Sequence, residues 1–227
     1  MSRSKKLGVC VYCGSQGIVT SDHVPPKCIF PPQTRINLIT VAACEPCHNG
    51  FKLDDEYFRL ALSIRPDLPD QSTAGYLFEK TKRSLKDPQA KRFRTALIKS
   101  IHDLSVHTQG GIYLGEAKGI RLDFRRLTKT AERMIKGFYA HYYEEVLPNT
   151  YSISAHFTEL QKDSTAIKTA EVKELIAFLA KAKVHRLGGD IVEIRSISTN
   201  DDPHATVWFV RILQTVSFFG FTTPQER

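Results

Sequence analysis

The sequence predicts an α+β protein in which a short metal-stapled unit of two strands and a helix precedes a larger domain of mixed α/β content. Three observations lead there. Two Cys-x-x-Cys pairs, Cys10/Cys13 and Cys44/Cys47, bracket the first strands. From residue 66 onward, segments of helical period alternate with short β-branched or aromatic runs. The chain has 227 residues, 41% of them hydrophobic, enough for one sizeable core or a small module beside a larger domain.

Residues 17–25, GIVTSDHVP, read as a strand that runs into Pro25 and Pro26. Residues 36–44, INLITVAAC, read as a second strand, and a helical pattern begins near EPCHNGF. It continues through DDEYFRLALSIR, with Asp54 or Asp55 placed to cap it. The boundary of this first unit falls at residues 1–66, and residues 67–227 form the second.

In the second unit, a helix opens at Ser72, and another at 88–104 has Asp87 as its cap and Pro88 as its first residue. Two strand-like pieces, GIYLGEA and GIRLDF, meet near Lys118 and Gly119. A long helix spans about 126–146 and stops before Pro148. Strands follow at 150–157, 190–198, 205–213 and 216–221, with a helix expected at 169–183.

The net charge of +8 is concentrated in residues 59–147, which hold 17 basic and 10 acidic groups. Within them Lys80, Lys82, Arg83, Lys86, Lys91, Arg92, Arg94 and Lys99 face only Glu79 and Asp87 in one stretch. Such a field attracts phosphate backbones and releases their counterions, although a solvated helix face has the same composition. No apolar run approaches the roughly 20 residues of a membrane span, and the N-terminus has no apolar signal core. A cytoplasmic protein is expected.

In a reducing compartment, paired Cys-x-x-Cys knuckles read as four thiolate ligands of one structural zinc ion, a closed shell with no position for substrate. Catalysis then falls to the other polar groups of the same window. Asp22 and His23 end the first strand, and His48 follows the second knuckle, so a zinc core would draw them together. A carboxylate and an imidazole suit a hard divalent cation that keeps waters and takes substrate phosphate oxygens.

The order Cys-x-x-Cys, Asp-His, Asn, Cys-x-x-Cys-His over about the first 60 residues resembles the HNH endonucleases, the ββα-metal nucleases, in their zinc-stapled form. The resemblance implies that His23 is the general base and that Asn37 orients it. It also implies that Asp22 and His48 hold a catalytic Mg²⁺ or Mn²⁺, and that Cys10, Cys13, Cys44 and Cys47 hold zinc. Asn49 is the other candidate for the last ligand, with His48 favoured because imidazole binds divalent metals better than an amide.

The expected activity is metal-dependent hydrolysis of phosphodiester bonds in double-stranded DNA, in restriction, phage defence or mobile-element biology. Lys80, Lys82, Arg83, Lys91, Arg92 and Arg94 are the expected DNA-binding side chains, and a homodimer would supply a second active site for the second strand. The other reading is a zinc-stabilised nucleic-acid-binding regulator or adaptor that does not cleave.

Overall fold

The computed structural model describes residues 6–65, 68, 71–108, 110–158, 175 and 177–225. It is a mixed α and β protein, as the sequence predicts. A three-stranded antiparallel sheet carries the N-terminal unit: β1 (Lys6–Val9), β2 (Gln16–Val24) and β3 (Ile39–Cys44), in that order. β1 was not anticipated; it adds only four residues to the edge of β2. Two helices follow, α1 (Glu45–Gly50) and α2 (Lys52–Ser63).

Neither Asp54 nor Asp55 caps α2, whose N-terminal flanking residue Phe51 makes no side-chain cap bond. Both carboxylates reach a later helix instead, α5 (Phe124–Tyr142): Asp54 accepts from Arg126 Nε at 2.7 Å, and Asp55 accepts from Arg133. Long-range ion pairing takes these two groups away from the capping role that local sequence suggests.

Helices α3 (Gln71–Lys86) and α4 (Lys91–Ser100) carry the basic stretch, and Asp87 accepts from Gln89 N at 2.9 Å to cap the short turn between them, as expected. The second helix is shorter than its periodicity implies. Residues 101–107 form a strand, β4 (Ile101–His107), that pairs with β5 (Tyr113–Ile120) in a separate two-stranded ribbon. The hairpin therefore turns near residues 108–112, and Lys118 and Gly119 lie inside β5. Strand alternation explains the ribbon, because Asp103, Ser105 and His107 pair across one face with Lys118, Glu116 and Tyr113, while Leu104 and Val106 occupy the other. GIRLDF is not a second strand. Its last residue begins α5, capped by Asp123, which accepts from Arg125 N at 3.1 Å.

The second sheet is five-stranded and antiparallel: β6 (Tyr151–Phe157), β7 (His185–Leu187), β8 (Val192–Ser198), β9 (Thr206–Ile212) and β10 (Val216–Pro224), ordered β6-β10-β9-β8-β7. The helix expected at 169–183 lies largely outside the described residues; residues 177–179 are helical.

Helix α5 lies between the two sheets. Gly137 faces β2, where an added Cβ would stand 2.6 Å from Val24 Cγ2, and Ile135 faces β10, close enough that a Cβ on Gly220 would meet it at 2.4 Å. Residues two apart on a helix point about 200° apart, so one helix presents opposite faces to the two sheets. Met134, Phe138 and Tyr139 are fully buried in the core that continues to Trp208 on one side and to Val24 and Ile39 on the other.

The absence of a side chain at Gly137 lets the helix approach β2. Gly137→Ala is expected to destabilise the chain by about 1–3 kcal/mol through overpacking, against a gain of at most about 1 kcal/mol in helix propensity. Denaturant midpoints of the two proteins measure the difference, and an unchanged or higher midpoint would refute the close approach.

Candidate functional site

The four cysteines of the two knuckles converge. Their Sγ atoms all lie within 4.8 Å of one another, and Cys13 Sγ stands 3.7 Å from Cys44 Sγ. A tetrahedron with metal–sulfur bonds of about 2.3 Å has sulfurs about 3.8 Å apart, so the spacing fits one metal ion in a four-thiolate shell. Local backbone makes each knuckle. Gly14, at φ +72°, donates its N–H to the carbonyl of Cys10 at 2.8 Å, closing the first turn in a conformation that favours glycine. Cys44 is the last residue of β3 and flanks α1, whose first turn carries Cys47.

The thiols differ in acidity. Hydrogen bonding to Ser15 lowers Cys13 to about 6, whereas burial raises Cys10 and Cys47. Metal binding therefore has to displace protons from a crowded thiol cluster, which links occupancy to pH. Cys28 takes no part; its thiol donates to the carbonyl of Asp55 at 3.4 Å, and burial raises it to about 11.

Beside this cluster, the sheet delivers a carboxylate to a helix. Asp22 is buried on β2, and its Oδ1 stands 3.9 Å from Nδ1 of His48 on α1. Tyr12, between the first pair of cysteines, donates its hydroxyl to Asp22 Oδ2 at 2.9 Å. Thr20 Oγ1 lies 3.3 Å from His48 Nδ1. Thr20 and Asp22 are two residues apart on a strand and so share a face.

Sequence reasoning missed both Tyr12 and Thr20. The period of β2 was enough to find the threonine, whereas nothing local marks the tyrosine. Asn49 is exposed, while His48 is turned inward against Asp22.

His23 is half-buried at the end of β2, paired in register with Thr40. Burial lowers its pKa below the ordinary imidazole value, and Lys27, Arg35 and His48 push the same way against the opposing charge of Asp22. The ring therefore feels both members of the Asp22–His48 pair and is neutral at pH 7.

Asn37 is not brought to it. That residue is exposed in the turn before β3 at φ +55°, and no hydrogen bond joins it to His23. Asparagine tolerates the left-handed region better than most residues, so turn geometry accounts for its presence.

The basic stretch is partly spent within the chain. Lys80 donates to Tyr76 Oη at 3.0 Å, Lys82 pairs with Glu79 at 3.4 Å, Arg83 donates to the carbonyl of Glu79 and Arg94 to that of Leu85 at 2.6 Å. Lys82, Arg83, Lys91 and Arg92 are nonetheless exposed on α3 and α4. Among the described residues no helix is long and apolar enough to cross a membrane.

These elements define a cluster of four thiols that could hold one metal ion, followed directly in sequence by the histidine of a carboxylate–imidazole pair. The chain matches no family model, no curated protein and no solved structure.

Proposed function

We propose that the chain is a metal-dependent endonuclease of the HNH type, acting on double-stranded DNA. The observation that carries the reading is the meeting of Asp22 and His48 at 3.9 Å directly beside the thiol cluster. In an octahedral shell with bonds of about 2.1 Å, neighbouring ligand atoms are about 3 Å apart and opposite ones about 4.2 Å. The observed 3.9 Å lies between these values, so a small side-chain adjustment would let both atoms reach one hard cation. The four cysteines would hold zinc and so join the turn between β1 and β2 to the end of β3 and to α1.

In the proposed reaction, His23 in its neutral form takes the proton of the attacking water. Asp22 and His48 would hold Mg²⁺ or Mn²⁺, which would supply positive charge against that developing on the phosphate. Tyr12 restrains the carboxylate through its hydroxyl, whereas Thr20 meets His48 at Nδ1, the nitrogen facing Asp22, so a cation taken there would replace that contact. Exposed Lys82, Arg83, Lys91 and Arg92 add affinity for the duplex backbone that weakens with salt.

One observation favours a second reading. Because Asn37 does not support His23, the base lacks the orienter that the family resemblance implies, as expected of a zinc-stapled nucleic-acid-binding adaptor that has lost cleavage. Incubating supercoiled plasmid with the purified protein and Mg²⁺ or Mn²⁺ separates the two. Nicked or linear product that EDTA abolishes supports the nuclease, and intact plasmid with either ion supports the adaptor.

A further inference from the structure

A cavity of about 470 Å³ opens between α5, the start of β6 and the N-terminal unit, with Tyr12 and Phe51 forming one wall. Tyr12 also holds Asp22, so this cavity and the candidate cation site share a side chain.

Lys129, Arg133 and Lys136 line the cavity from α5. Their spacing of four and then three residues puts all three on one helix face. Arg133 is the most constrained of them. Its guanidinium lies 4.4 Å from the centre of the Phe51 ring and donates through Nη2 to Asp55, while its buried Nη1 has no hydrogen-bond partner among the described residues. A buried donor left in this way costs about 1–3 kcal/mol unless something accepts from it.

Lys136 spends one donor on the carbonyl of Tyr12 at 2.9 Å, which leaves two of an ammonium's three. Lys129 is exposed at the mouth. Two carboxylates also line the space, Asp54 and Glu132. Asp54 is bridged by Arg126 and Arg133 by Asp55, both partners outside the lining, which leaves Lys129 and Lys136 against Glu132. The lining is therefore net cationic.

Its volume falls within the range of small-molecule sites, about 300–1,000 Å³, larger than a bare phosphate needs. We infer that this cavity binds a nucleotide phosphate, with Lys129 and Lys136 as its donors and the buried Arg133 guanidinium adding positive charge behind them. The inference rests on the nuclease reading for placing the ligand within a nucleic-acid strand next to the cleaved bond. A free mononucleotide offers the same chemistry.

Binding is measured in a His23→Ala background, so that cleavage does not interfere, by fluorescence anisotropy of a short labelled duplex and of a labelled AMP across a salt series. Lys129→Ala is expected to weaken duplex binding several-fold and to lower the slope of log K against log salt by about 0.9. Adding Lys136→Met is expected to lower it by about twice that. Arg186→Ala, on β7 of the second sheet, serves as the control for lost charge and leaves both values unchanged. Lys129 is exposed, so its single variant keeps the test open if the double variant folds poorly.

Weakened duplex binding assigns the site to strand phosphate. Unchanged duplex binding with lost AMP binding assigns it to a free nucleotide. Neither effect in Lys129→Ala overturns the inference. Plasmid left intact by the wild type, with the duplex effect present, removes the nuclease and keeps the pocket; cleavage without either binding effect does the reverse.

Discussion

Cys44→Ser is expected to abolish bound metal, measured as zinc per chain, and to lower the melting temperature by more than any substitution in the five-stranded sheet. The residue joins three things: it ends β3 in register with Val19, it flanks α1, and its thiol stands 3.7 Å from that of Cys13. A structural zinc supplies about 10–16 kcal/mol in small modules, as much as the whole stability of a typical domain, about 5–15 kcal/mol. The first knuckle is otherwise held by single hydrogen bonds, Tyr12 to Asp22, Lys136 to the Tyr12 carbonyl and Val11 N to the Ala42 carbonyl, each worth about 1 kcal/mol. A Cys44→Ser protein that melts with the wild type, or a wild type that purifies without zinc, would remove the four-thiolate shell from the account.

His23→Ala is expected to reduce plasmid nicking by roughly 10²- to 10⁴-fold, the usual contribution of a positioned base, while leaving zinc content and duplex binding intact. The pH profile gives a finer test. Burial, reinforced by Lys27, holds this imidazole below its ordinary value of 6.5. A base with a lowered pKa stays unprotonated to lower pH, so activity is lost only as pH falls through that depressed value. The acidic limb of the rate profile is therefore expected below 6.5, and Lys27→Gln is expected to move it upward. Stability follows the same sign: because the folded chain resists protonating His23, acid between the unfolded and folded values destabilises it. Equal nicking by wild type and His23→Ala, or an acidic limb above 6.5, would dismiss His23 as the base.

The thiolate cluster was legible because its information is local. Each Cys-x-x-Cys makes its own turn, and two of them with a β-branched strand before the second leave few other arrangements. The placement of Asp22 near His48 follows from that closure. What surrounds the pair was not legible, because it arrives from far along the chain. Lys136 reaches the Tyr12 carbonyl across 124 positions, and Arg126 and Arg133 reach Asp54 and Asp55 across more than 70. With those partners invisible, helix capping was the economical reading of the two carboxylates. β4 was misread for a different reason: the apolar spacing of Leu97, Ile98 and Ile101 continues a helical stripe until cross-strand pairing with β5 outweighs it. Asn37 is a motif position that backbone conformation also explains, since it sits at φ +55° in the turn before β3.

Helix α5 gives the chain its thermal behaviour. A helix packed on both sides belongs to neither sheet alone, and removing either sheet exposes an apolar face of it to water. Heating is therefore expected to produce one calorimetric peak in which both sheets are lost together. Chelating zinc would shift that peak as a whole, so a chelator acting near Cys10 would report on Trp208 fluorescence at the far side of the molecule. Two resolved peaks would mean that the sheets melt as separate bodies.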